Sequence, residues 1–233
     1  MSIRKSIAAA FILGSLLLPS TVLAQFNWPY KVTNGKAVTE VPVRAAGQES
    51  ALNMTSPKLK VVRVAFVGLG MRGHDAVERW THIPGIQVMA LCDYERDRAE
   101  RCQEYLRKAS MPAADIYSGE DGYKELCKRK DIDLVYIAPD WKHHFLVAYE
   151  AMNNGKHVAV EVPAAMNLSE IWQLIEISEK KRLHCMMLEN CCYDFFELNS
   201  LNMAQNNVFG EVLYVQGAYR HELSKFWDAY WKK

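Results

Sequence analysis

The chain has 233 residues, 50% of them hydrophobic and 24% charged, with a formal net charge of +1. That length buries a core for one or two domains. With 28 Lys and Arg against 27 Asp and Glu, no polycationic surface for nucleic acid is expected.

The N-terminus pairs Arg4 and Lys5 with an apolar run from Ile7 to Leu18 and a small-residue exit, Val22-Leu23-Ala24, before Gln25. This is the pattern of a secretory signal over residues 1–24. The run falls short of the roughly 20 apolar residues that a bilayer core requires, so no membrane span is expected once it is removed. The product is then exported, periplasmic or secreted, and carries 26 basic against 27 acidic residues, a net charge of −1. Residues 25–59 show no sustained period and are rich in Pro, Asn, Gly, Thr and Ser, as a linker or surface arm would be.

From Lys60 a rhythm sets in. Apolar runs in KVVRVAFVG, IQVMALCD, ADIY, DLVYIAP, KHVAVEV and HCMMLEN alternate with the helical-period stretches HDAVERWTHI, RDRAERCQEYLRKA, EDGYKELCKR, HHFLVAYEAMNNG and SEIWQLIEISEKKR. Short Val/Ile-rich runs separated by amphipathic helices are the signature of βαβ units. The expected fold class is therefore α/β, a doubly wound Rossmann sheet of six strands over 60–190. Beyond it, DFFELNSLNMAQNN reads as a helix and GEVLYVQGAYRHEL as an antiparallel strand, together the beginning of an incomplete α+β substrate domain over 191–233. All six cysteines lie after residue 90 and none forms a C-x-x-C pair, so no zinc or thioredoxin-like site is expected, nor any other metal site. An even count in an exported chain permits disulfides, although Cys92 and Cys185 sit in strand-like runs where a reduced thiol packs as a small hydrophobe.

Gly68-Leu69-Gly70-Met71-Arg72-Gly73 is G-x-G-x-x-G between a strand and a helix. The first glycine suits a tight turn, the second a close approach of backbone to a pyrophosphate, and the third close helix packing. The helix N-terminus adds unpaired N–H groups and partial positive charge. Asp93 ends the next strand 25 residues after Gly68, near where an acidic group bonds the adenosine ribose, which favours NAD over NADP. Arg72, Arg96 and Arg98 oppose that preference if one of them is free to pair with a 2′-phosphate.

Strand ends in a parallel sheet point at the cofactor crevice. This places Pro139, Asp140, Trp141, Lys142, His143, Glu161, Val162 and Asn190 along it. Glu161 ends an apolar strand, where a carboxylate needs a partner or a task. Tyr193 is expected to open the following helix, and Tyr219 and His221 share one face of the final strand. For each of these three, packing or solvent exposure is the alternative to a site role.

The glycine motif, CDYERDRAE, IAPDWKHH, GKHVAVEVPAA and GEVLYVQGAYRHEL, in this order, resemble the Gfo/Idh/MocA oxidoreductases, and among them the exported family 109 glycoside hydrolases. The resemblance runs from Lys60 to the last residue. It implies an NAD-binding Rossmann domain and a C-terminal domain whose open sheet carries a sugar site and can pair subunits into a homo-oligomer. It also implies cofactor contacts at Met71, Arg72, Asp93, Asp140 to His143, Glu161, Val162 and Asn190, with a substrate contact at Tyr219. In this branch a sugar, for instance an α-linked N-acetylgalactosamine, is transiently oxidised at C3, so that elimination expels the aglycone.

Dehydrogenases of the superfamily carry Glu-Lys-Pro where this chain has Glu161-Val162-Pro163. Val162 moves no proton, so the simple dehydrogenase reading loses its usual acid/base; the catalytic group is not identified, and Glu161, Tyr193 and His221 are the candidates. The chain ends at Lys233, before the motifs that would complete a sugar pocket. Three readings stay open: an NAD-dependent glycosidase, an NAD(P)-dependent sugar dehydrogenase, and a non-catalytic nucleotide-binding module.

Overall fold

The computed structural model describes residues 30–218 together with 220, 222 and 224. The described residues divide into two compact units, the first ending at Leu188 and the second beginning at Glu189.

The first unit opens with regular structure in its N-terminal arm. Residues 25–59 were expected to lack regular structure, yet Tyr30–Thr33 (β1) and Lys36–Thr39 (β2) pair antiparallel as a hairpin. Asn34 and Gly35 at its tip both have positive φ, 51° and 72°. Those angles define a type I′ turn, for which Asn-Gly is the preferred pair. The arm that follows is tied to the sheet domain. Arg44 Nε and Nη2 donate to the buried carboxylate of Glu179 at 2.7–3.0 Å, and Gln48 Nε2 donates to it at 2.8 Å.

Six parallel strands then alternate with helices: Val62–Val67 (β3), Met71–Trp80 (α1), Ile86–Asp93 (β4), Arg96–Lys108 (α2), Asp115–Ser118 (β5), Gly122–Lys128 (α3), Leu134–Ile137 (β6), Trp141–Asn153 (α4), His157–Val160 (β7), Leu168–Lys181 (α5) and Cys185–Met187 (β8). The spatial order is β5-β4-β3-β6-β7-β8. Successive residues of β3 feed opposite layers. Val64 and Phe66 pack with Ala76 and Val77 of α1 and with Ala99, Cys102 and Leu106 of α2. Ala65 and Val67 pack with Leu126 of α3, Phe145 and Ala148 of α4, and Leu174 and Ile177 of α5. This two-faced burial is why the strands read as nearly continuous apolar runs. The strand order reverses between β3 and β6, in the middle of the sheet.

All six cysteines are free thiols. Burial raises Cys92, Cys102 and Cys127 to about 12, so these are inert packing groups.

At the amino ends of the strands, Asp133 accepts from the Arg63 amide, Nε and Nη2 at 2.6–2.9 Å. Arg63 holds the Asp133 carboxyl below its ordinary 3.8, and Arg44 holds that of Glu179 below 4.5. His157 behaves oppositely. Its Nδ1 accepts the His184 amide at 2.9 Å, and burial, then the neighbouring His184, lowers it below 6.5. The folded state thus disfavours the His157 proton, and its contribution is lost as pH falls from 6.5 through the lowered value. The carboxylates contribute fully above their ordinary values and lose that contribution further down. Melting temperature measured from pH 7 to 3 is expected to fall in two stages, the first beginning near pH 6.5. His157→Gln should abolish the first stage only.

In the second unit a 3₁₀ turn, Asn190–Tyr193, precedes Phe195–Gln205 (α6). Two expectations are corrected here. The last sheet strand stops at Met187, so Asn190 does not end it, and Tyr193 closes the 3₁₀ turn instead of opening the helix, whose N-cap position is Asp194. Residues 211–218, expected as an antiparallel strand, form none. An alternating sequence becomes a strand only where a neighbouring ladder takes up its N–H and C=O groups, and the described residues provide none.

Candidate functional site

The carboxyl ends of β3, β4, β6 and β7 converge at the point where the strand order reverses. Gly68 leaves β3 with φ +87°, its N–H bonded to the Cys92 carbonyl at 2.9 Å. A Cβ there would lie 2.2 Å from the Pro139 nitrogen, so the turn after β3 fits directly against the backbone that leaves β6. A Cβ at Gly73 would lie 1.8 Å from the Gly68 carbonyl oxygen. Gly68 and Gly73 thus close the turn on itself. Gly70 differs: it is the N-cap of α1 at φ −67°, a conformation open to any residue, and it provides no side-chain cap. No acidic residue occupies the first turn of α1. The first N–H groups of the helix and the positive end of its dipole are left facing the crevice, the arrangement that receives a phosphate. A dinucleotide fits this cradle.

Asp93 is 6% exposed. One oxygen accepts the Leu69 amide at 2.6 Å, the other accepts the Glu95 amide at 3.0 Å and lies 3.5 Å from Arg98 Nη1. The carboxylate expected to meet a ribose therefore also clamps the glycine turn. A carboxylate has about four lone-pair sites, so these bonds leave acceptor capacity for a ribose hydroxyl. The three arginines that could have met a 2′-phosphate all have carboxylate partners: Arg72 with Glu161, Arg96 with Glu100, and Arg98 with Asp93.

Glu161 follows β7, its side chain 12% exposed. Its Oε1 accepts from Tyr136 Oη at 2.5 Å and from Arg72 Nε at 2.8 Å. Tyr136 was read in the sequence only as part of a buried strand; no local pattern marks it, because its partner lies 25 residues on and meets it through the β6–β7 pairing. Burial, then the Glu161 hydrogen bond, pushes the Tyr136 phenol well above its ordinary value, so it stays a donor.

Asp140 caps α4 by accepting the Lys142 amide at 3.0 Å, and its other oxygen pairs with His143 Nδ1 at 2.5 Å. Trp141, Met71 and Val162 are exposed at the strand ends. Behind them buried His144 holds the Pro163 carbonyl at 2.7 Å, fixing the turn that carries Val162. Asn190 and Tyr193 belong to the second unit. Tyr219 and His221 lie outside the described residues. Among the described residues there is no cluster of three metal-binding side chains, and no helix is long and apolar enough to cross a membrane.

The doubly wound sheet, the closed glycine turn and the bare helix N-terminus together define a dinucleotide-binding Rossmann domain. The chain belongs to the Gfo/Idh/MocA oxidoreductase family, NAD-binding Rossmann fold, which it matches over residues 62–189. It is 61% identical to glycosyl hydrolase family 109 protein 5 of Phocaeicola vulgatus, covering 98% of this chain and 45% of that one. Against glycosyl hydrolase family 109 protein 1 of Bacteroides thetaiotaomicron it is 56% identical, covering 94% and 47%. The chain therefore spans less than half the length of these relatives. Among solved structures it resembles the myo-inositol dehydrogenase of Lactobacillus casei in complex with NAD(H) and myo-inositol (TM-score 0.56, 22% identity, 64% of this chain and 43% of that one). It also resembles a 3-ketoreductase of Actinomadura kijaniata in complex with NADP (TM-score 0.54, 22% identity, 65% and 46%). At these identities the likeness is one of fold.

Proposed function

We propose that this chain is the cofactor-binding part of an NAD-dependent enzyme acting on glycosides, a hydrolase with no net redox change. The observation that carries this reading is Val162. At the position where sugar dehydrogenases of the superfamily place a lysine, the chain presents an exposed aliphatic side chain that can neither give nor take a proton. The names of its relatives, glycosyl hydrolase family 109 proteins, support the same reading.

Bound NAD would supply a reversible hydride acceptor, so that a sugar oxidised at C3 loses its C2 proton and its aglycone, takes up water and is reduced back. This differs from the paired-carboxylate route of ordinary glycosidases. The N–H groups at the start of α1 hold the pyrophosphate. Asp93 would bond the adenosine ribose, and with Arg96 and Arg98 paired to carboxylates neither is free to meet a 2′-phosphate, which supports NAD over NADP. Glu161, with one oxygen shared between a phenol and a guanidinium, is a structural anion of the site more than a proton carrier. Tyr219 and His221 are the candidates for the sugar side. Asp140 to His143, Val162 and Asn190 remain candidate cofactor contacts, and the Arg4-Lys5 segment with its apolar run supports export.

Incubating a complete version of the enzyme, one that includes the sugar-binding part, with NAD⁺ and a chromogenic α-N-acetylgalactosaminide should release the aglycone without accumulating NADH. Stoichiometric NADH formed with free sugar as the substrate, and no aglycone released from the glycoside, would establish the dehydrogenase reading instead. NAD⁺ binding with neither product would leave the binding-module reading. Because Gly70 has an ordinary backbone conformation, Gly70→Val should keep the fold and weaken NAD⁺ binding more than tenfold, or about 1.4 kcal/mol, by titration. An unchanged affinity would remove the pyrophosphate from this turn.

A further inference from the structure

We propose that Tyr136 is a positioning residue for the cofactor: through Glu161 it holds the Arg72 guanidinium by its inner edge at the strand-order reversal, leaving the outer edge to take the pyrophosphate. The inference rests on the reading that NAD occupies the glycine cradle.

The Tyr136 ring lies 5.2 Å from that of Phe66 and 5.5 Å from that of Trp80, and the residue is 2% exposed. A phenylalanine would fill that space equally well. What tyrosine adds is a buried hydroxyl, and a buried hydroxyl needs a partner. Its partner is Glu161 Oε1, the same oxygen that takes Arg72 Nε–H. Tyr136 pairs with Ala159 in the β6–β7 register, and alternation puts residue 161 on the same face as residue 159, so the sheet itself delivers the carboxylate to the phenol. The Glu161 N–H continues the ladder to the Ile137 carbonyl at 2.9 Å, which fixes the backbone from which the carboxylate reaches.

The consequence falls on Arg72, whose side chain is 47% exposed. A long exposed arginine samples many rotamers, and ordering it on a ligand costs rotamer entropy. Here Glu161 takes only the Nε–H; among the described residues no bond uses the two Nη groups. A guanidinium anchored by its inner edge keeps its outer fork for a phosphate, already ordered before the ligand arrives. Arg72 is the second residue of α1, so it belongs to the helix end whose N–H groups would hold the same phosphate.

The test is a double-mutant cycle on NAD⁺ affinity, measured by calorimetric titration with the whole chain, with melting temperature followed on the ligand-free proteins. Tyr136→Phe should raise the NAD⁺ Kd about fivefold, within the coupling range of contacting residues. In an Arg72→Gln background the same change should add less than twofold. Glu161→Gln, which keeps the shape and removes the charge, should raise Kd in the same direction and not add to Tyr136→Phe. It carries the test alone if the phenylalanine variant does not fold. An unaltered Kd in Tyr136→Phe or, failing that, in Glu161→Gln would overturn the proposal. So would an equal loss in the Arg72→Gln background, which would mean that Tyr136 acts by packing. A parent chain that binds no NAD⁺ would overturn the cofactor reading and the inference with it, an outcome distinct from binding without coupling.

Discussion

Replacing Gly68 by Ala is expected to destabilise the protein by about 3–5 kcal/mol, from backbone strain at positive φ combined with overpacking. Two independent costs meet at this residue. At φ +87° an L side chain is strained wherever it points, and the Cβ would lie 2.2 Å from the Pro139 nitrogen, a backbone atom that cannot turn aside. Relief requires β3 to separate from the chain leaving β6, yet Val67 and Ile137 pair across that junction and the Ala138 amide bonds the Val67 carbonyl at 2.8 Å. Against a typical domain stability of about 5–15 kcal/mol the loss leaves a marginal fold. Urea unfolding followed by circular dichroism measures it directly. Gly73→Ala should be nearly as harmful for the second reason alone, its Cβ falling 1.8 Å from the Gly68 carbonyl oxygen. A Gly68→Ala midpoint equal to the parent's would mean that the turn relaxes freely. That would also undo the contrast with Gly70→Val, which is expected to spare the fold and lose the ligand.

This division of labour among three glycines was only half legible in the sequence. G-x-G-x-x-G between an apolar run and an amphipathic one predicts a turn and a helix, and the alternation of such runs predicts the doubly wound sheet, because burial on both faces leaves a period that the chain cannot disguise. The Asn34-Gly35 hairpin was equally available, since Asn-Gly between Val32 and Val38 is a turn signal, but its strands are only four residues long and lie in a polar arm. What could not be read was any contact made by pairing strands far apart in sequence. Tyr136 looked like one more core residue of β6, and Glu161 like a candidate acid. Only the register brings them together, so that one oxygen of Glu161 accepts from both Tyr136 and Arg72. Asp140 had the opposite fate. Its position at a strand end suggested the cofactor, whereas its observed bonds are those of an N-cap, to the Lys142 amide and to His143. One residue can do both, and spacing alone does not separate them.

Asp93 carries that double duty furthest, and Asp93→Ala is expected to cost about 2–4 kcal/mol of stability in the ligand-free protein as well as weakening NAD⁺ binding, since removing a buried acceptor strands the donors it served. The Leu69 and Glu95 amides both lose their partner, and Arg98 loses the carboxylate 3.5 Å away. Leu69 lies between Gly68 and Gly70, so the shape of the phosphate cradle depends on the same oxygen that orders this amide. Asp93→Asn should fall between parent and alanine: its single carbonyl oxygen satisfies one of the two amides, and its NH₂ meets the other donor to donor. NAD⁺ affinity should drop in both variants by about tenfold or more, or roughly 1.4 kcal/mol, because each lacks the charge for a ribose hydroxyl. The two roles separate in the ligand-free melts. If Asp93 served the ribose alone, both variants would melt with the parent and differ only in titration. If it served the turn alone, Asp93→Asn would recover affinity in step with stability. The predicted order, with stability graded from parent through Asn to Ala and affinity lost equally in both, belongs to a carboxylate whose shape holds the turn and whose charge holds the ligand.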